Sequence, residues 1–105
     1  MIRFLDEADD EIQDAIERYD GLREGLSTRF LDALEAACDR IVRSPEMFPI
    51  HQSALRGCAT RFVTLKRYPY SVIYEIVEST VAMLAVANHY REPGYWRSKR
   101  PGPLG

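Results

Sequence analysis

Tyr70-Ser-Val-Ile-Tyr-Glu-Ile-Val77, then Glu78-Ser79, then Thr80-Val-Ala-Met-Leu-Ala-Val-Ala-Asn88 is the stretch that decides the fold. Two runs rich in β-branched and aromatic residues, parted by only two residues, can pair only as a tight antiparallel hairpin. The second run is apolar at every position from Val81 to Ala87. Simple alternation would leave one face in water, so this strand is expected to be covered on both faces and to lie centrally. Upstream, residues 59–67 alternate with period two, and Tyr68-Pro69 makes a comparable turn into Tyr70, giving a third strand. The three strands form an antiparallel sheet, and Arg3 to Leu5 is expected to add a short fourth strand beside the central one.

The cover for such a sheet lies in the first half of the chain. Leu5, Ala8, Ile12, Ala15, Ile16 and Tyr19 recur at steps of three and four, the stripe of a helix over 6–20 whose other faces are acidic. Gly21 breaks it, with Asp20 expected to cap the second helix. Leu26, Phe30, Ala33, Leu34, Ala37 and Ile41 form a second stripe, a helix over 23–43 that stops at Ser44-Pro45 because proline restrains the residue before it. So short a link folds the helices into an antiparallel hairpin whose stripes share one sheet surface. Residues 46–57, with Pro49 and Gly57, read as an irregular loop. The expected class is therefore α+β: an N-terminal antiparallel helical hairpin on a small, three- to four-stranded antiparallel sheet. One domain spans 1–98, and 99–105 is expected to be a flexible tail.

Composition narrows the function. Among 105 residues, 46% are hydrophobic, which suits a small folded core. The longest apolar run is far short of the roughly 18 residues a bilayer span needs. The amino terminus turns acidic at once, unlike a secretory signal, so the expected location is the cytoplasm. Cys38 and Cys58 lack metal-site or redox spacing and are expected to stay thiols. The net charge of −2 hides a gradient: residues 1–20 sum to −6 and residues 51–105 to +5. The second half can therefore offer an acidic partner a positive face, or simply a solvated one.

There is no Gly-rich phosphate loop, zinc spacing or Ser/His/Asp context, so no metal or cofactor is expected. What stands out is the run after the central strand: His89-Tyr90-Arg91-Glu92-Pro93-Gly94-Tyr95-Trp96-Arg97. Arginine forks onto phosphate or carboxylate, and aromatic rings fill a partner's pocket or stack on bases. Against this, Tyr95 and Trp96 can fold back over a core edge, and Arg91 can pair with a carboxylate of the first helix. His89 can exchange protons near neutrality, although an isolated histidine is more often structural. Arg61, Lys66 and Arg67 suggest a basic strip along the first long strand. His51, without a candidate partner, receives no role.

Arg67-Tyr-Pro-Tyr-Ser-Val-Ile-Tyr-Glu75 and Val81-Ala-Met-Leu-Ala-Val-Ala-Asn-His-Tyr-Arg-Glu-Pro-Gly-Tyr-Trp96 resemble, in order and spacing, the RelE/ParE superfamily of toxin proteins. Arg29-Phe30-Leu31, Ser44-Pro45-Glu46 and Phe48-Pro49 are similar to it as well. The resemblance implies the toxin of a type II toxin-antitoxin module, also called a plasmid-stabilisation protein, which inhibits growth until a cognate antitoxin neutralises it. It also implies the helical hairpin on a small sheet.

RelE-like members cleave mRNA on the ribosome, whereas ParE-like members act on DNA gyrase without that nuclease site. Where the nucleases carry two lysines and an arginine, this chain has Phe62, Thr64 and Ser71, while Arg91 matches a late arginine of that set. The resemblance thus leans towards a non-enzymatic gyrase inhibitor that contacts its target through Arg91, Tyr95, Trp96 and Arg97. Two alternatives stay open: a ribosome-dependent endoribonuclease working through Arg91 with His89 or Tyr90, and a non-toxic module that only binds antitoxin. The sequence leaves the self-association of the toxin open.

Overall fold

The computed structural model describes residues 2–99, without the side chains of residues 98 and 99. The order is β1 (Ile2–Phe4), α1 (Asp6–Asp20), α2 (Leu26–Arg43), β2 (Arg61–Thr64), β3 (Tyr70–Val77) and β4 (Thr80–Asn88), followed by a 3-10 turn at Tyr95–Lys99. The tail expected over 99–105 lies, from residue 100 on, outside the described residues.

α1 has the expected bounds and buries Ala8, Ala15 and Tyr19. No side chain caps its start; Asp6, Glu7 and Asp9 in the first turn instead offset the helix dipole, each by about 0.3–1 kcal/mol. α2 starts three residues later than expected because Gly25 takes a left-handed φ of 86°, which no right-handed helix continues through. Asp20 is not the cap of α2; it accepts a hydrogen bond from Ser27 Oγ across the link. The link folds α2 back on α1, so that Phe30 near the start of one lies 5.5 Å, ring to ring, from Tyr19 near the end of the other. Tyr68 and Tyr70 complete this aromatic knot. Phe30, Leu34, Ala37 and Ile41 face the sheet, where they meet Val63, Val72, Tyr74, Met83 and Val86 in the main core.

The sheet runs β1-β4-β3-β2, so β4 is central and, from Val81 to Ala87, buried on both faces as its composition requires. β3 and β4 span 70–77 and 80–88 as read from the sequence. Glu78 and Ser79 turn between them with positive φ at both positions, the backbone that matches strand twist. The sheet is not wholly antiparallel: β1 pairs parallel with β4, Ile2 opposite Val81. Adjacent strands joined by a hairpin must reverse, but between β1 and β4 the chain passes through both helices and then β2 and β3, and so long a connection permits parallel pairing.

β2 is shorter than the 59–67 expected. At its start, the loop takes over: His51 N–H donates to the Thr60 carbonyl at 2.7 Å, and Ile50 bridges Arg61. At its end, Arg67 adopts φ 67° in the turn to β3. The loop thus also covers the outer edge of β2, where unpaired backbone groups would otherwise invite association.

One irregularity aims the functional region. Tyr74 pairs with Met83 but Ile73 with Ala85, so Leu84 is an extra residue in β4. This bulge shifts the alternation: Val81, Met83 and Val86 face the helices, while Ala82, Leu84, Ala85 and Ala87 join Ile73 and Trp96 on the other face. Without it, His89 would follow the helix-facing set instead of meeting Ser71.

Candidate functional site

Past Asn88 the chain turns sharply. The Asn88 side chain accepts from the Tyr90 N–H at 2.9 Å and its carbonyl from the Arg91 N–H at 3.0 Å, a local turn asparagine favours. The segment then folds back over the outer sheet face and encloses a cleft of about 180 Å³ lined by His51, Ser71, His89, Arg91 and Trp96 among others.

The structure brings the expected exit residues together but engages most of them internally. Trp96 is buried, only 1% exposed, and lies edge-on to His51 at 5.1 Å, out of reach of any partner in this conformation. Tyr95 donates its hydroxyl to Glu11 Oε2. Burial, then that hydrogen bond and the Glu11 charge, hold its phenol well above the ordinary tyrosine pKa. Arg91 stacks 3.6 Å over the Tyr95 ring and ion-pairs with Glu11 at 3.5 Å, the alternative its sequence context allowed, yet half its side chain stays exposed. Arg97 is exposed but folds its Nε onto the Gly94 carbonyl at 3.1 Å. Gly94 has φ 83°, and a Cβ there would stand 2.8 Å from that Nε, so glycine lets the arginine lie flat on the turn. Tyr90 is 88% exposed.

His89 is exposed, and its Nε2 lies 2.8 Å from Ser71 Oγ, which in turn lies 3.1 Å from Thr64 Oγ1. Arg61, Lys66 and Arg67 do not form one strip. Arg61 donates to the Phe48 carbonyl at 2.5 Å and lines a cleft with Glu46 and Glu75, whereas Lys66 and Arg67 line a separate groove beside α2.

Two residues escaped the sequence reading. Glu11 of α1 accepts from Tyr95, from Arg91 and, at 3.1 Å through Oε1, from the Val86 N–H, pinning the exit and β4 to the helix. His51 packs between Phe62 at 5.0 Å and Trp96, with Nδ1 accepting from the Ser53 N–H at 2.9 Å. Burial holds its imidazole below the usual 6.5. The unfolded chain therefore takes up a proton at a higher pH than the folded one. The stability His51 contributes is complete above about pH 6.5 and is lost as the pH falls through that value towards the folded pKa. Denaturation midpoints measured between pH 8 and 5 should fall, and His51→Asn, which keeps an acceptor without titrating, should fall less.

Among the described residues no group of histidines, cysteines and acids is placed to hold a metal ion, and no helix is long and apolar enough to cross a membrane.

Residues 2–93 match the family described as "ParE toxin of type II toxin-antitoxin system, parDE". No curated protein matches the sequence. Of solved structures, a chain of the chromosomal ParDE toxin-antitoxin system of P. aeruginosa superposes with a TM-score of 0.61 at 16% identity, covering 83% of this chain and 92% of that one. The isolated RelE toxin of E. coli superposes with a TM-score of 0.53 at 14% identity, covering 93% of each. At such identities these two likenesses bear on the fold alone.

Proposed function

The chain belongs to the ParE family of toxins from type II toxin-antitoxin systems, and on that footing we propose that it arrests growth by binding DNA gyrase, with a cognate antitoxin to restrain it. The surface it offers the target is the β4 exit, where exposed Tyr90 stands beside half-exposed Arg91 and Arg97. Buried Trp96 and half-buried Tyr95 hold that exit rigid rather than touch the target.

The observation that carries this reading is that three positions of the outer sheet face, Phe62, Thr64 and Ser71, hold neutral side chains. A nuclease must offset charge on a scissile phosphate in the transition state, which takes aimed cations. Phe62, Thr64 and Ser71 occupy the positions where the resemblance would put them. The hydroxyls of Thr64 and Ser71 are tied to each other and to His89, and Arg91 is already shared with Glu11.

One observation favours the second reading, a ribosome-dependent endoribonuclease: His89 and Arg91 line the same cleft, so a proton carrier and a cation lie side by side. Expression in the native host without antitoxin separates the two. The gyrase reading expects a DNA-damage response with intact ribosome-bound mRNA; cuts in the ribosomal A site would overturn it, and unimpaired growth would point to a module that only binds antitoxin.

A further inference from the structure

β1 pairs with β4 only from Val81 to Met83, so the Val86 N–H, further along β4, has no β1 carbonyl to meet. Glu11 of α1 takes it at 3.1 Å through Oε1. The other carboxylate oxygen serves the exit: Oε2 accepts from the Tyr95 hydroxyl and pairs with Arg91 at 3.5 Å. One carboxylate, only 14% exposed, therefore joins the backbone of the central strand to a ring and a cation of the segment that follows it.

Arg91 is held by Glu11 in two ways. Its guanidinium meets the carboxylate directly, and it lies 3.6 Å over the Tyr95 ring, whose hydroxyl the same carboxylate holds. Burial, with Glu11 beside it, keeps that phenol protonated, so Tyr95 remains a donor to Glu11. Half of the Arg91 side chain nevertheless stays open to a partner. An arginine already held when it meets a partner loses less rotamer freedom on binding. Asp14, three residues along α1, lines a small cleft with Glu11, Arg18 and Arg91, yet it is exposed and makes no hydrogen bond or ion pair among the described residues. The tie thus depends on where Glu11 sits, not on the acidity of α1 as a whole.

We propose that Glu11 is a positioning residue for target binding: it does not touch the target, but it presets Arg91 on the Tyr95 ring in the geometry that the target reads. The assignment rests on the reading of the exit as a gyrase contact given above.

The test titrates the full chain and its variants into supercoiling by gyrase from the native host, with thermal melting measured alongside. Glu11→Gln can still accept from the Val86 N–H through its amide oxygen and donate to the Tyr95 oxygen through its amide nitrogen, but it carries no charge to hold Arg91. It should melt near the wild-type temperature and need about threefold to tenfold more protein for half-inhibition, the range expected when an interface side chain has to be immobilised on binding. Asp14→Asn, which removes the same charge one turn away, should inhibit like the wild type. In an Arg91→Ala background, read at the higher concentration that variant needs, Glu11→Gln should add nothing, whereas a merely structural role would weaken both backgrounds alike. Tyr95→Phe, which keeps the ring but cuts its tie to Glu11, should repeat the pattern, and it carries the same cycle if Glu11→Gln melts well below the wild type. Equal inhibition by wild type and Glu11→Gln, or equal losses in the two backgrounds, overturns the positioning role and leaves the gyrase reading standing. Absence of inhibition by the wild type overturns both.

Discussion

Replacing Trp96 with alanine is expected to destabilise the fold by about 3–5 kcal/mol, the cost of removing a large buried aromatic and leaving a cavity. Trp96 anchors the outer cluster of Ile73, Ala82, Leu84, Ala85 and Ala87 and supports His51 from behind. A domain of this size is stable by only about 5–15 kcal/mol, so much of that margin goes with one side chain. Far-UV circular dichroism against urea measures the loss without relying on the tryptophan signal. Trp96→Phe, which keeps a ring in the site, should lose less. Growth arrest by Trp96→Ala should fall through loss of folded protein, and cooling the culture should partly restore it.

The opposite pattern is expected at Tyr90 and Arg91. Tyr90 is exposed and Arg91 half exposed, and largely buried Glu11 keeps the Tyr95 hydroxyl and the Val86 N–H as partners when Arg91 is removed, so alanine at both should cost about 1 kcal/mol of stability or less. The stacking of Arg91 on Tyr95 belongs to that same small sum. As target contacts, however, a tyrosine and an arginine at the centre of an interface are each worth about 2 kcal/mol or more on truncation. Either single variant should thus bind its target at least roughly thirtyfold more weakly, and the double variant on the order of a thousandfold more weakly, while melting near the wild-type temperature. Circular dichroism and growth arrest after induction, measured together, check both halves.

Much of the fold was legible because it follows from local periodicity. The stripes of α1 and α2 and the unbroken apolar run of β4 each carry their own structural instruction, and Glu78-Ser79 leaves no room for anything but a hairpin. What escaped depends on contacts distant in sequence. The direction of β1 is decided by the long connection through both helices, β2 and β3, not by its three residues. The start of the expected first long strand pairs with the loop at His51, which no alternation pattern announces. The extra residue at Leu84 is invisible in a strand that is apolar throughout.

The site was legible in part. The exit run stood out by composition, but composition cannot say which rings turn inward, and the structure buries Trp96 while leaving Tyr90 in water. Glu11 is one of eight acids in the first twenty residues and looks like any of them. Only the packing of α1 against β4 brings it to the Val86 N–H, Tyr95 and Arg91.

The most direct measurement is a supercoiling assay in which purified wild-type chain and the Tyr90→Ala/Arg91→Ala variant are added to gyrase from the native host. The account predicts that the wild type blocks supercoiling or traps cleaved DNA and that the equally folded variant does neither at the same concentration. Full supercoiling in the presence of excess wild-type chain, or equal inhibition by both proteins, would contradict it.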